Sequence, residues 1–174
     1  MGRYSNVRNR RLHRGEEAVE RCASSRVGAW LFLHVFHRID TRLLALSRGR
    51  LSVAVGAPVG MLDAAGARSG RMRRTPLLYS ADGDRVVLIA SNGGAQRHPG
   101  WYHNVRANPD VAFLTRDGVR RACRASVAHG PERERLWLLA TDVYNGYTAY
   151  QLRARPREIP VVVLEPTYPP QAPR

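Results

Sequence analysis

Four arginines fall within seven residues, at Arg68, Arg71, Arg73 and Arg74, beside Ser69 and ahead of Thr75, Pro76, Leu77 and Leu78. A guanidinium pairs bidentately with phosphate or carboxylate, so this cluster suits a multiply anionic ligand. On a strand or turn the four cannot all face one way, but two or three can converge. Further on, Ser91-Asn92-Gly93-Gly94 leads into Pro99, Trp101, Tyr102 and Asn104. Glycine lets backbone N–H groups come close to a ligand, and indole offers a flat apolar face. Tyr144, Tyr147 and Tyr150 then recur about one helical turn apart, where their phenols can line a pocket and address a substrate oxygen. Each group also has a plainer reading: a solvated basic edge, an ordinary loop, a core tryptophan and a buried tyrosine stripe.

Other chemistries find no support. The sequence contains no nucleophile elbow, P-loop, G-x-G-x-x-G or H-E-x-x-H pattern. His34 and His37 stand three apart without a third ligand, so no metal site is expected. His98 and His103 read as exposed polar residues. Only 14 carboxylates are present and none form an evident pair, so a bound cofactor is a better carrier of difficult chemistry than protein acids and bases.

The elements that must position these residues follow from periodicity. Strands are expected over Val59–Ala64, Thr75–Ser80, Arg85–Ser91, Val111–Thr115, Val119–His129 and Ile159–Leu164. Turns are expected over Gly66–Gly70, at the Asp-Gly signal in Ala81–Asp84, and at Arg116-Asp117-Gly118. Pro99 suits the first turn of a short helix over Gly100–Ala107, ended by Asn108-Pro109. A second helical pattern covers Glu132–Tyr144. Strands do not alternate regularly with long helices, which points to a small, largely antiparallel barrel with packed helices, an α+β and mainly β chain.

At 174 residues one domain is the default. Residues 1–26 read as an Arg-rich arm, flexible or loosely helical. Residues 27–50 read as an amphipathic helix, residues 51–166 as the barrel, and residues 167–174 as a Pro-rich tail. The helix pattern suits core packing; its aromatics beside Arg38 and Arg42 also suit a peripheral membrane contact through 27–48. All 28 basic residues are arginine, and the net charge is +14. Codon bias accounts for arginine over lysine; the excess charge predicts attraction to anions whatever its origin. Cys22 and Cys123 lie about a hundred residues apart, and no secretory signal or apolar span of about 18 residues is evident, which fits a reducing cytoplasm. The arm lacks a recognised reader motif, so nucleic acid is not an expected partner.

Read jointly, A-R-S-G-x-x-R-x-T-P-L, S-N-G-G-A, P-x-W-Y-x-N-x-x-A-N-P, Y-x-x-Y-x-x-Y and R-x-I-P-V-V-V-L-E-P resemble the deazaflavin-dependent nitroreductase family. Each motif is weak alone, but their order over Leu51–Pro166 is specific. The resemblance implies a six-stranded antiparallel split β-barrel, like that of flavin-binding pyridoxamine oxidase relatives, in an actinobacterial oxidoreductase. It implies the cofactor coenzyme F420, an 8-hydroxy-5-deazaflavin with an oligoglutamate tail, and a quinone or nitro-compound acceptor. By the same resemblance Arg68, Ser69, Arg73, Arg74, Thr75, Pro76, Leu77 and Leu78 line the coenzyme groove. Ser91, Asn92, Gly93 and Gly94 contact the ring or its linker, and Trp101, Tyr102 and Asn104 complete the groove. Ser91, Tyr144, Tyr147 and Tyr150 match positions around the hydride-acceptor site, with Tyr147 also touching the coenzyme. His103 departs from the family pattern, where an apolar residue is usual. A homodimer and an association with the inner face of the cell membrane are further expectations. A non-catalytic carrier of deazaflavin, flavin or tetrapyrrole is the alternative, distinguished by binding without acceptor reduction.

Overall fold

The computed structural model describes residues 58–167. Six strands, β1 (Val59–Ala65), β2 (Met72–Asp82), β3 (Arg85–Ile89), β4 (Asp110–Leu114), β5 (Arg120–Val127) and β6 (Val161–Pro166), close into a barrel in the order β1-β2-β3-β6-β5-β4. Every pairing is antiparallel, including the β1–β4 contact that completes the ring. Three pairs are local hairpins; β6 is the long-range member and fills the slot between β3 and β5. The expected arm over 1–26 and helix over 27–50 lie outside the described residues, as does nearly all of the expected tail.

Period-two alternation decides which residues fill the barrel. Leu62 and Ala64 of β1, Val86 and Leu88 of β3, Val111 and Phe113 of β4, Cys123 of β5, and Val162 and Leu164 of β6 form one buried cluster. Val87, Ile89, Val161 and Val163 have the opposite parity yet are also buried, because two helices cover the outer face there. Burial on both faces explains the unbroken apolar runs of β3 and β6. β5 alternates instead, with Arg120, Arg124 and Ser126 exposed, as expected for a strand with one wet face.

The helices are α1 (Gly100–Ala107), α2 (Gly130–Val143) and α3 (Gly146–Ala154). α1 closes one end of the barrel with Trp101, Tyr102 and Val105. α2 and α3 lie over β3 and β6 through Leu136, Ala140, Tyr147, Tyr150 and Ala154. Burying a side chain such as Leu136 stabilises by about 2–3 kcal/mol. Asp82 accepts from Arg135 of α2 at 2.9 Å on each oxygen and from Arg85, tying the β2–β3 hairpin to the helix layer.

Two differences from the sequence expectation bear on the site. β2 begins at Met72 rather than Thr75, because pairing with β1 continues to Ala65 opposite Met72 despite the charged side chains there. The tyrosines do not share one helix: Tyr144 ends α2, and Tyr147 and Tyr150 belong to α3.

Candidate active site

The loop after β3 turns because its backbone enters the left-handed region. Ser91 is right-handed helical at φ −70°, ψ −39°, and Asn92, Gly93 and Gly94 follow at φ 51°, 63° and 80°. A right-to-left succession of this kind turns neighbouring backbone N–H groups into a shallow concavity suited to an anion or a carbonyl oxygen. Gly94 N–H donates to Ser91 O at 3.0 Å, and Ala95 N–H donates to Asn92 O at 3.1 Å. The Asn92 side chain donates to Arg97 O at 2.9 Å and holds the far side of the loop.

Glycine at position 94 is required twice over. Its φ excludes most side chains, and a Cβ there would stand 2.8 Å from Tyr150 O and 3.0 Å from Tyr150 Cα. The Ser91–Gly94 loop therefore sits directly against α3, which carries two of the three predicted tyrosines. Tyr144 and Tyr150 share a hydrogen bond, Oη to Oη 3.0 Å, and the three rings pack edge to face or tilted with centroids 5.1–6.2 Å apart. Gly146 permits this, since a Cβ there would overlap the Tyr144 ring. Tyr147 and Tyr150 are each 6% exposed, while Tyr144 is half-buried. Burial pushes the Tyr147 and Tyr150 phenols up, so both stay protonated at neutral pH.

The arginine cluster divides. Arg74 Nε donates to Asp63 Oδ1 at 2.8 Å, and Arg120 donates to Asp63 Oδ2 at 2.7 Å. Asp63 is buried, and the two guanidinium groups balance its charge. Arg68, Arg71 and Arg73 are exposed and have no carboxylate partner among the described residues. β-strand alternation puts Arg73 and Arg74 on opposite faces, and Arg73 runs past Gly66 instead. Thr75, Pro76, Leu77 and Leu78 are all half-buried, but they divide in the same way. Leu77 packs on the barrel interior, whereas Leu78 packs outside with Val59, Met61 and Leu114.

α1 joins the two loops. Its first turn follows the Gly-rich loop, and Asn104 Oδ1 accepts from Ala67 N–H at 3.0 Å in the Arg-bearing turn. Asn108, just past its end, donates to Ala65 O at 3.3 Å. Eight residues of helix span about 12 Å, so the exposed arginines and the Ser91–Gly94 turn flank one short rod. Trp101 and Tyr102 sit on the inner side of that rod, 8% and 6% exposed, in the barrel core. The burial of Trp101 corresponds to the plainer of its two sequence readings, and Tyr102, read as part of the groove, is likewise a core residue.

Sequence reasoning assigned no role to Arg157. Its guanidinium donates to Ser91 O at 2.9 Å, to Ala95 O at 2.6 and 3.0 Å, to Ala90 O at 3.4 Å and to His98 Nδ1 at 3.1 Å. Gln96 adds a second clamp, donating to Arg153 O at 3.0 Å and Arg155 O at 3.2 Å. The R-x-I-P stretch carried the only signal for Arg157. His98 is half-buried beside it, and burial, with Arg157 next, lowers its tendency to protonate. Together the site offers backbone N–H groups, neutral phenol donors and unpaired guanidinium groups, a set suited to holding an anionic ligand and stabilising a developing oxyanion. Among the described residues, no cluster of His, Cys, Asp and Glu is arranged to hold a metal ion.

A family model described as F420H(2)-dependent quinone reductase matches residues 36–166. The chain is 39% identical over 147 residues to the F420H(2)-dependent quinone reductase Rv1261c of Mycobacterium tuberculosis, an alignment covering 79% of this chain and 97% of that protein. Among solved structures, an F420-H2 dependent reductase, FDR-A, is 35% identical with a TM-score of 0.57, covering 62% of this chain and 93% of the other. Another, described as a domain-swapped dimer, is 31% identical with a TM-score of 0.60, covering 74% of this chain and 97% of the other. The chain belongs to the F420H(2)-dependent quinone reductase family.

Proposed function

We propose that this protein is an oxidoreductase that reduces a quinone at the expense of reduced coenzyme F420, at the junction of the Ser91–Gly94 loop and the tyrosine cluster. The observation that carries this reading is the packing of Gly94 on the Tyr150 backbone, which sets the Ser91–Gly94 turn against the helix that carries two of the tyrosines. The residues suit the coenzyme. Gly94 lets the loop pack directly on α3, and Arg68, Arg71 and Arg73 offer cations without a carboxylate partner among the described residues to phosphate and carboxylate groups. When bound, reduced F420 supplies a hydride from its deazaflavin ring.

The chain's own residues do the rest. Arg68, Ser69, Arg71 and Arg73 hold the anionic end, while Arg74, committed to Asp63, fixes the β2 edge from which they project. Ser91, Asn92 and Gly93 present hydroxyl, amide and backbone donors to the ring or its linker. Asn104 keeps the Arg-bearing turn against α1. Tyr144, Tyr147 and Tyr150 form the acceptor wall, where neutral phenols donate to the oxygen that gains charge as a quinone is reduced. Pro76 and Leu78 supply an apolar flank. Nitro compounds, whose oxygens also gain charge on reduction, are a second acceptor class for the same wall.

Two wider readings accompany this. A peripheral bilayer contact through residues 27–48 would bring the site to lipid quinones, and liposome flotation of the full-length and truncated protein tests it. No helix among the described residues is long and apolar enough to cross a membrane. A homodimer is supported by the related structure described as a domain-swapped dimer, and light scattering of the purified chain decides it. The direct test of the activity mixes the protein with reduced F420 and menadione and follows deazaflavin absorbance. Reoxidation that requires both protein and quinone is expected; a protein that does not bind F420 at micromolar concentration overturns the reading.

A further inference from the structure

Arg157 has an unusual set of partners. Its guanidinium meets three backbone carbonyls and an imidazole nitrogen, all within residues 90–98, and no carboxylate among the described residues. Because an arginine N–H only donates, His98 Nδ1 must accept, which fixes the neutral tautomer with its proton on Nε2. Five contacts gather carbonyls of one loop around one planar fork. A lysine cannot reproduce this, since its ammonium lacks the fixed fork geometry.

The consequence for the loop follows from peptide geometry. In a trans peptide the C=O and the next residue's N–H point in opposite directions within one plane. Ser91 O faces Arg157, so Asn92 N–H is aimed away from it. The Ala95 carbonyl, held twice by the same group, does likewise for Gln96 N–H, and Gln96 is clamped through its side chain to α3's end. Arg157 is itself held in place: Gln151 of α3 donates to Arg157 O at 2.9 Å and accepts from Ile159 N–H at 2.8 Å. A polar hub therefore links α3, the start of β6 and the Gly-rich loop. Its positive charge lies uncompensated beneath that loop, on the side opposite the outward N–H.

We infer that Arg157 is a positioning residue of the coenzyme site, orienting the Ser91–Gly94 backbone so that the Asn92 and Gly93 N–H groups and the half-buried cation act together on an anionic or carbonyl-bearing part of the ligand. This rests on the reading that the Ser91–Gly94 loop binds F420. Arg157 touches neither ligand nor acceptor; it acts through the loop's carbonyls.

The test is a fluorescence titration with oxidised F420, run on the wild type, Gly94→Ala, Arg157→Ala and Arg157→Lys, with steady-state menadione kinetics and thermal melts alongside. Arg157→Ala is expected to weaken F420 binding by about tenfold or more while the menadione KM stays within about twofold. Arg157→Lys should bind nearly as poorly despite keeping the charge, and added methylguanidinium should recover part of the affinity of Arg157→Ala. A wild type that does not bind F420, or a Gly94→Ala protein that binds as tightly as wild type, overturns the underlying reading of the loop. Where Gly94→Ala binds less tightly, wild-type affinity in a folded Arg157→Ala protein, or full recovery by lysine, overturns the positioning role alone. If Arg157→Ala does not fold, Arg157→Lys decides by the same titration: weakened binding supports the role and wild-type binding overturns it.

Discussion

Tyr150 sits between two influences: its burial pushes the phenol up, while the Tyr144 hydroxyl and Arg153 pull it back. Burial pushes the Tyr147 phenol strongly in the same direction, with no donor or cation among the described residues to pull it back. Both keep their protons at neutral pH, so neither can serve as a base there. The rate of quinone reduction should accordingly show no tyrosine-dependent alkaline limb between about pH 6 and 9, where unperturbed phenols are also protonated. Tyr150→Phe removes the Oη contact with Tyr144. It is expected to lower kcat/KM for menadione on the order of tenfold or more, while F420 affinity by fluorescence changes less than about twofold. Equal losses in coenzyme binding and turnover would instead make Tyr150 part of the coenzyme wall. The three-residue tyrosine spacing was visible in the sequence, but the way the rings meet was not. Tyr144 reaches Tyr150 because the chain breaks at Asn145 and Gly146 leaves room for a ring, and no periodicity announces such a break.

Among the elements, the two glycine-dependent contacts give separable outcomes. Gly94→Ala imposes a side chain at φ 80° against the Tyr150 backbone. We expect a loss of about 1–3 kcal/mol in unfolding free energy, measured by urea denaturation, together with weaker F420 binding. Gly146→Ala first meets the Tyr144 ring, the far end of a side chain rather than backbone. Its stability should fall by less, and the loss should appear in acceptor turnover rather than coenzyme affinity. Comparable denaturation losses in the two variants would contradict this division. Local elements were readable because their signals are local: the Asp-Gly turn before Arg85, Pro99 opening α1, and the alternation of β5 all match what forms. β2 was read too short because exposed arginines conceal a strand edge that pairing with β1 imposes. Arg157 escaped notice for a different reason. Its partners lie about sixty residues earlier in the chain, and only the closed fold brings them together.

At the scale of the whole molecule, the β2–β3 hairpin is bound to the helix layer through Asp82. The hydrogen bond from Arg135, with Arg85 assisting, holds this carboxyl down to about 2. A carboxyl depressed on folding contributes its full stabilisation above the unfolded value of about 4, and loses it as pH falls from about 4 through about 2. Urea midpoints of the wild type should drop across that window, and Asp82→Asn should start lower at neutral pH and fall less steeply. Parallel pH profiles would show that other carboxylates govern acid unfolding. The barrel class was legible from strand count and hairpin signals, whereas its strand order was not, because no sequence pattern states that β6 lies between β3 and β5. That strand order has a consequence for how the protein comes into being. β6 is the last strand of the barrel to be made, and Arg157 lies just ahead of it. Until that segment docks, the ring is open and the loop beside the tyrosines lacks its clamp. Such long-range pairing is intrinsically slow to form. On the proposed site, a nascent chain would thus gain its capacity to hold coenzyme in the same event that completes its fold, and a partly made copy would have no finished loop with which to bind it.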